Sequence, residues 1–155
     1  MFSTLHTNDA PGAITRLVDI GVKPFLVASS VRAVMAQRLV RKVCTNCAVP
    51  YEPTNEQMEY LGLRREFFTN GTLLKGRGCG ECSKTGYKGR MGIFEIFELT
   101  DDMQDMIYKG ASTYELREAA IKNGMRSLRQ DGLRKVLSGA TTIEEVIRVS
   151  IADMQ

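Results

Sequence analysis

Cys44-Thr45-Asn46-Cys47 and Cys79-Gly80-Glu81-Cys82 are the two stretches on which the reading of this chain turns. They hold all four of its cysteines, with 31 residues between the pairs. Two residues between thiols let one tight turn present both sulfurs to one ion, and two such knuckles complete a tetrahedron. The protein then supplies every ligand. No position is left for water or substrate, so a zinc ion held this way is structural. Gly78, Gly80 and Gly86 free the backbone around the second knuckle, and Asn46 gives the first a residue that tolerates left-handed geometry. A C-x-x-C pair can also be a redox dithiol, but that arrangement usually opens a helix in a βαβ unit, and neither pair reads that way. Disulfides are disfavoured in the cytosol. A four-thiolate iron site stays chemically open. The pattern speaks strongly for a metal and weakly for a function, because zinc ribbons serve many functions.

Around the cysteines the texture is that of a small module. Two of the four prolines lie within residues 44–90, residues 76–92 are rich in glycine, and helical or strand periodicity is weak. Thr54 with Gln57 forms a capping box for a short helix ending near Gly62. With few large apolar residues, such a module needs a staple other than its core. Lys75, Arg77, Lys84, Lys88 and Arg90 form a basic stretch interrupted only by Glu81. A stretch of this kind can meet phosphate or acidic lipid, or can simply be a solvated face beside a metal site.

On the N-terminal side, Met1–Thr7 reads as the end of a strand entering a loop. Asp9 caps the next helix, with Pro11 in its first turn and Ile14, Leu17 and Val18 on its buried face. Pro24 opens a second helix predicted to run to Val43, its apolar face made by Val27, Val31, Val34, Met35 and Leu39. Gln37, Arg38, Arg41 and Lys42 then fall at its C-terminal end, where positive charge suits the helix dipole. On the C-terminal side, Met91–Leu99 reads as a buried strand. Helices follow over 101–109 (capped by Thr100), 113–123 (boxed by Ser112 and Glu115), 127–138, and a last one boxed by Thr142 and Glu145.

Composition bounds the class. Hydrophobic residues make up 43% and charged residues 25%, which fits a globular protein and excludes a disordered tail. No apolar run is long enough to span a bilayer and no secretory signal opens the chain, so a cytoplasmic setting is expected. The net charge of +3 dictates no partner. Basic excess is confined to the first third, and no basic stripe runs along the chain, so nucleic acid is not expected as a ligand.

The strings Ser3-Thr4-Leu5-His6-Thr7-Asn8-Asp9-Ala10, Arg16-Leu17 and Ala36-Gln37-Arg38-Leu39-Val40-Arg41 join with the four cysteines. Gly89-Arg90-Met91-Gly92-Ile93-Phe94-Glu95, Leu128-Arg129-Gln130-Asp131-Gly132 and Thr142-Ile143-Glu144-Glu145-Val146 complete the set. In this order they resemble the C-terminal portion of the hexameric ATPases of type II secretion and type IV pilus assembly, over nearly the whole chain. The resemblance implies an α+β, mostly helical chain with three parts. Residues 1–43 are a partial RecA-like C-terminal edge, 44–89 a small four-cysteine zinc module, and 90–155 a helical terminal subdomain. It puts His6 in a histidine box near the ATP γ-phosphate, with Thr4 beside it, and Arg90 near the nucleotide base. Arg38 and Arg41 could reach phosphate or a neighbouring subunit, and are read first as helix-end residues. The implied cofactors are structural zinc, and ATP with magnesium in the parent. The implied partners are the rest of the ATPase, neighbouring subunits of a hexamer, an inner-membrane platform protein and acidic lipid, at the inner membrane of a bacterium. A zinc-ribbon nucleic-acid binder and a pure protein-interaction module are the competing readings.

The departure from that family is as informative as the match. A P-loop needs Gly-x-x-x-x-Gly-Lys-Ser/Thr to cradle phosphates. Gly71 to Lys75 lacks the second glycine in place, and Gly86-Tyr-Lys-Gly-Arg lacks the spacing. A shortened chain or gene fragment is therefore expected, with Met1 standing for an upstream residue. The chain alone, incubated with ATP and magnesium, is expected to release no phosphate above a protein-free blank. Sustained turnover would contradict this reading.

Overall fold

The computed structural model describes residues 1–150, in two compact units that each draw on two separate stretches of chain. One unit comprises Met1–Gln37 with Phe94–Leu128, the other Arg38–Ile93 with Arg129 onward. Among the described residues there are seven α-helices and four β-strands, so the architecture is a mixture of helix and small antiparallel sheet. None of those helices is long and apolar enough to cross a membrane.

In the first unit Asp9 caps α1 (Ala10–Asp19), its side chain accepting from Gly12 N at 2.8 Å. This is the expected cap, although Leu17 and Val18 are only half-buried, and Ala13 and Ile14 carry the core face. The residues before it form no regular structure, so the strand end expected over Met1–Thr7 is absent. The helix α2 (Pro24–Ser30) stops at Val31, whose backbone is extended (φ −79°, ψ 130°). From there the chain forms strand β1 (Ala33–Val43), not the long helix expected to run to Val43. Apolar residues three and four apart fit a helix. The same residues also alternate, and Val34, Ala36, Arg38 and Val40 are more buried than Met35, Gln37 and Leu39 between them. That period of two is a strand face. Gln37, Arg38, Arg41 and Lys42 consequently sit on a strand and owe nothing to a helix dipole.

Strand β1 pairs with β4 (Tyr87–Glu98), which starts four residues earlier than expected and is buried on one side only. Ile93, Glu95 and Phe97 point inward, while Phe94, Ile96 and Glu98 are exposed. The boundary between the units falls inside both strands. The first unit is completed by α4 (Asp101–Tyr108) and α5 (Thr113–Lys122), which bury Met103, Ile107, Leu116 and Ala120. The Ser112/Glu115 capping box forms as expected. Thr100 begins α4 without a side-chain cap bond.

In the second unit strands β2 (Ala48–Pro50) and β3 (Leu74–Gly76) pair antiparallel, with Val49 opposite Lys75. Between them lies α3 (Asn55–Leu61), started by the expected Thr54/Gln57 box and stopped by Gly62. The remaining elements are α6 (Leu128–Leu137), which enters this unit at Arg129, and α7 (Ile143–Ser150). Leu61, Phe68 and Leu73 pack with Leu133, Val136, Ile143 and Val146 in one buried cluster. Seven such side chains contribute on the order of 10 kcal/mol before conformational entropy is subtracted. The cysteine module therefore has an apolar anchor beside the staple that its few large apolar residues call for.

One buried carboxylate ties β1 to α7. Glu145 is 1% exposed. It accepts from Arg41 N at 2.8 Å, from Arg41 Nε and Nη2 at 3.0 and 2.8 Å, and from Arg148 Nε and Nη2 at 3.1 and 2.8 Å. Glu145 N still donates to Thr142 Oγ1 (3.4 Å), but the carboxylate serves these arginines, so the expected box is half made. Arg41 also lies over the Tyr87 ring, 4.2 Å from its centroid. Burial pushes the Glu145 carboxyl up, and the bonds from Arg148 and Arg41 outweigh it, holding the group at about 2. The folded value lies below the ordinary glutamate value of about 4.3, so the stabilisation is complete above that pH and is lost as pH falls toward 2. In urea unfolding, E145Q is expected to cost about 2–4 kcal/mol at pH 7. The gap from the parent protein should narrow as pH drops from about 4.3 toward 2. Acid release of any bound metal affects both proteins alike, so a gap constant with pH would count against this role.

Candidate metal centre

The cysteines sit where strands end and begin. Cys44 follows β1, Cys47 precedes β2, and Cys79 follows β3 and opens a 3-10 turn, Gly80–Cys82, that leads toward β4. Pairing of β2 with β3 brings the two knuckles side by side, and Arg77 N donates to Cys47 O (3.0 Å) just beyond the ladder. The knuckles repeat one another: Cys47 N reaches Cys44 O and Cys82 N reaches Cys79 O, both at 3.3 Å. Cys44 N donates to Gly86 O (2.9 Å), closing the module against the chain that enters β4.

Gly76 and Gly86 make the tightest backbone approach here. A Cβ on Gly76 would lie 2.1 Å from Gly86 O, and Gly86 itself has φ +78°. Two expectations about the turns change. Gly78 and Gly86 take positive φ as expected (92° and 78°), but Gly80 does not, and Ser83 and Lys84 (φ 50° and 62°) are left-handed in the turn after Cys82. Asn46 is not left-handed; its role is carried by its side chain, whose Nδ2 donates to Cys79 Sγ at 3.3 Å.

All four Sγ atoms lie within 4.8 Å of one another. Cys44–Cys79 and Cys47–Cys82 are 3.9 Å apart, and Cys79–Cys82 3.7 Å. Thiolates at about 2.3 Å from a tetrahedral zinc ion stand about 3.8 Å from each other. A disulfide would need about 2.05 Å, so these are four free thiols gathered round one point. Their surroundings suit thiolates. Gly78 N donates to Cys47 Sγ (3.3 Å), and Cys79 N and Gly86 N both donate to Cys82 Sγ (3.2 Å). The Cys79 amide, ahead of the opposing cost of burial, brings Cys82 down to about 6, helped by the Gly86 amide. The Asn46 amide lowers Cys79. Burial pushes Cys47 up to about 11 against the pull of the Gly78 amide, so a cation is what would ionise it. The donor set and spacing fit zinc. Cys44, Cys47, Cys79 and Cys82 would hold it, and with four protein ligands it would cross-link the module without activating water.

The basic stretch is exposed throughout, at Lys75, Arg77, Lys84, Lys88 and Arg90. Lys88 pairs with Glu81 at 2.5 Å, and Lys75 lies over the Tyr51 ring, 5.7 Å from its centroid. Thr4 and His6 are exposed on the segment before α1, in the first unit, whereas Arg90 is exposed on β4 in the second. Sequence reasoning missed the amide of Asn46 as a donor to sulfur and the paired arginines on Glu145. The first was visible only as a polar residue inside the knuckle. The second needed the contact between residues 104 apart in sequence.

A family model described as "Type II/IV secretion system protein" matches residues 1–148. The chain is 48% identical over 150 residues to the type II secretion system protein E of Pseudomonas aeruginosa, covering 97% of this chain and 29% of that protein. It is 45% identical over 151 residues to the type IV pilus assembly ATPase PilB of Thermus thermophilus, covering 97% and 17%. It is 43% identical over 148 residues to the protein of that name from Myxococcus xanthus, covering 95% and 26%. The chain thus spans less than a third of the length of these relatives.

Purified protein is expected to carry one metal ion per chain by elemental analysis, and cobalt substituted into it should give the absorption of a tetrahedral thiolate complex. N46A, which removes one donor to Cys79, should weaken metal affinity by about 10–100-fold in a chelator competition. A metal-free protein, or an unaltered affinity in N46A, would count against the site as described.

Proposed function

Because the chain belongs to the type II/IV secretion system protein family, we propose that it forms the C-terminal part of a secretion or pilus-assembly ATPase and that its four cysteines hold one structural zinc ion. The observation that carries this reading is the match over residues 1–148 combined with four sulfurs at zinc-ligand spacing. In the assembled motor, residues 1–43 belong to the RecA-like ATPase domain, 44–89 form the zinc module, and 90–155 the terminal subdomain. The P-loop and magnesium ligands come from a part of the protein that this sequence does not contain. Subunits form a hexameric ring in the cytoplasm against the bacterial inner membrane. ATP hydrolysis there moves the subunits and drives a membrane platform protein that secretes proteins or assembles pilin.

In this reading Thr4, His6 and Arg90 serve the nucleotide. The exposure of His6 supports its part, because a side chain that meets a phosphate held by another portion of the protein has to be accessible. An imidazole donating to the γ-phosphate stabilises charge that develops there during transfer. The exposed basic stretch from Lys75 to Arg90 supports contact with the platform protein or acidic lipid.

In the complete ATPase that contains this segment, H6A should lower kcat at least about tenfold, while metal content stays at one per chain. Unchanged turnover would remove His6 from the reaction. A salt-sensitive mobility shift of this chain with DNA or RNA would instead favour the zinc-ribbon nucleic-acid reading.

A further inference from the structure

The first unit buries a carboxylate that the proposed function does not use. Glu95 lies on the inward face of β4 and is 4% exposed. Its Oε1 accepts from Ala10 N at 2.8 Å and its Oε2 from Leu128 N at 3.3 Å. Ala10 and Leu128 are the first residues of α1 and α6. Amides at helix starts have no partner within their own helix and carry partial positive charge, so one anion bridging two of them satisfies both.

Glu95 is one half of a larger clamp on the start of α1. Asp9, 6% exposed, accepts from Gly12 N through Oδ1 and forms an ion pair with the Arg117 guanidinium through Oδ2. The carboxylate lies so close over Gly12 that a Cβ there would be 2.4 Å from Oδ1. Thr7 Oγ1 donates to Asp9 O (3.1 Å), carrying the restraint back toward His6. Further along, Thr15 and Thr113 share a 2.6 Å hydroxyl contact between α1 and α5. The start of α1 is thus held from β4, α5 and its own cap, while residues 1–6 stand exposed immediately before it. Three residues, and so four steps of chain, separate Ala10 from His6, a reach of at most about 14 Å.

We infer that Glu95 is a positioning residue for His6: by fixing the Ala10 amide it sets where the exposed histidine segment leaves the fold. This rests on the reading that His6 meets the γ-phosphate. Under it, a fixed histidine distinguishes ATP from ADP, whereas one on a loosened anchor does so less well. Glu95→Gln is the informative substitution. It keeps the size of the side chain but leaves one acceptor oxygen for two amides and turns an NH2 toward one of them. Glu95 is buried, so the inference assigns its effect to the placement of His6 and not to contact with nucleotide.

The test measures the ratio of ATP to ADP affinity in the complete ATPase containing this segment, for H6A, E95Q and the double variant. H6A and E95Q should each reduce the ratio by about tenfold, and the double variant no further than H6A alone. An unchanged ratio in E95Q, or a double variant whose loss is the product of the two single losses, would overturn the positioning role. If H6A itself left the ratio unchanged, the histidine reading would fall and this inference with it. That outcome differs from one in which H6A acts and E95Q does not. On this chain alone, E95Q should speed amide hydrogen exchange at Ala10 and Leu128 while metal content is unaltered. Unchanged exchange at both amides would show that the clamp does not depend on Glu95.

Discussion

Four sulfurs that all lie within 4.8 Å of one another cannot all be thiolates without a cation among them. Three of them draw backbone or side-chain N–H groups toward themselves, which lowers Cys79 and Cys82, but burial works the other way and leaves Cys47 raised. Hydrogen bonds therefore favour the thiolate at only part of the cluster, and a divalent ion would supply what the rest needs. Cys44 directly follows β1, Cys47 directly precedes β2 and Cys79 lies just beyond β3, so an ion among the sulfurs would fix three strand ends at one point.

The module does not depend on that point alone. The 31 residues between the knuckles could have been a loose loop, yet they return Leu61, Phe68 and Leu73 into a cluster with Leu133, Val136, Ile143 and Val146. Tyr51 accepts from Ile143 N (3.1 Å), Tyr87 shares a 2.8 Å hydroxyl contact with Thr142, and Thr141 donates to Arg41 O (2.8 Å). The stretch preceding α7 is thus held by backbone and hydroxyl groups on both sides of the cysteines. A metal held by four cysteines of this packed module would have no open coordination position, which suits a scaffold over a site of reaction.

Local chemistry was legible in the sequence where it acts locally. The caps at Asp9, Thr54 and Ser112 are set by residues within three positions of one another and formed as read. The four cysteines were legible because metal-ligand spacing leaves few alternatives. The helix expected over Pro24–Val43 failed for a physical reason. Val27, Val31, Val34, Met35 and Leu39 satisfy a helical spacing, but from Val34 the residues also alternate, and pairing with β4, which begins 44 residues beyond the end of β1, decided between the two. Glu145 shows the same limit: Thr142-x-x-Glu145 is a proper box by local rule, and the partners that override it, Arg41 and Arg148, include one 104 residues distant. Asn46 was read for its backbone tolerance when its amide group was the part in use.

Glu95 and Glu145 follow one logic that sequence periodicity hides. Each is buried, one on the inward face of β4, where the alternation calls for an apolar side chain, and one on α7, where the local pattern calls for a capping residue. A buried carboxylate is costly unless its oxygens are fully engaged. Each of these accepts from backbone amides, and Glu145 from two guanidinium groups as well. An apolar residue of similar size would have filled either space at less risk to stability. What it could not do is fix a strand to the start of a helix in a single geometry, because dispersion contacts are non-directional and hydrogen bonds are not. The two carboxylates therefore define orientation in their units, and an ion among the four cysteines would define it where secondary structure is too short to do so.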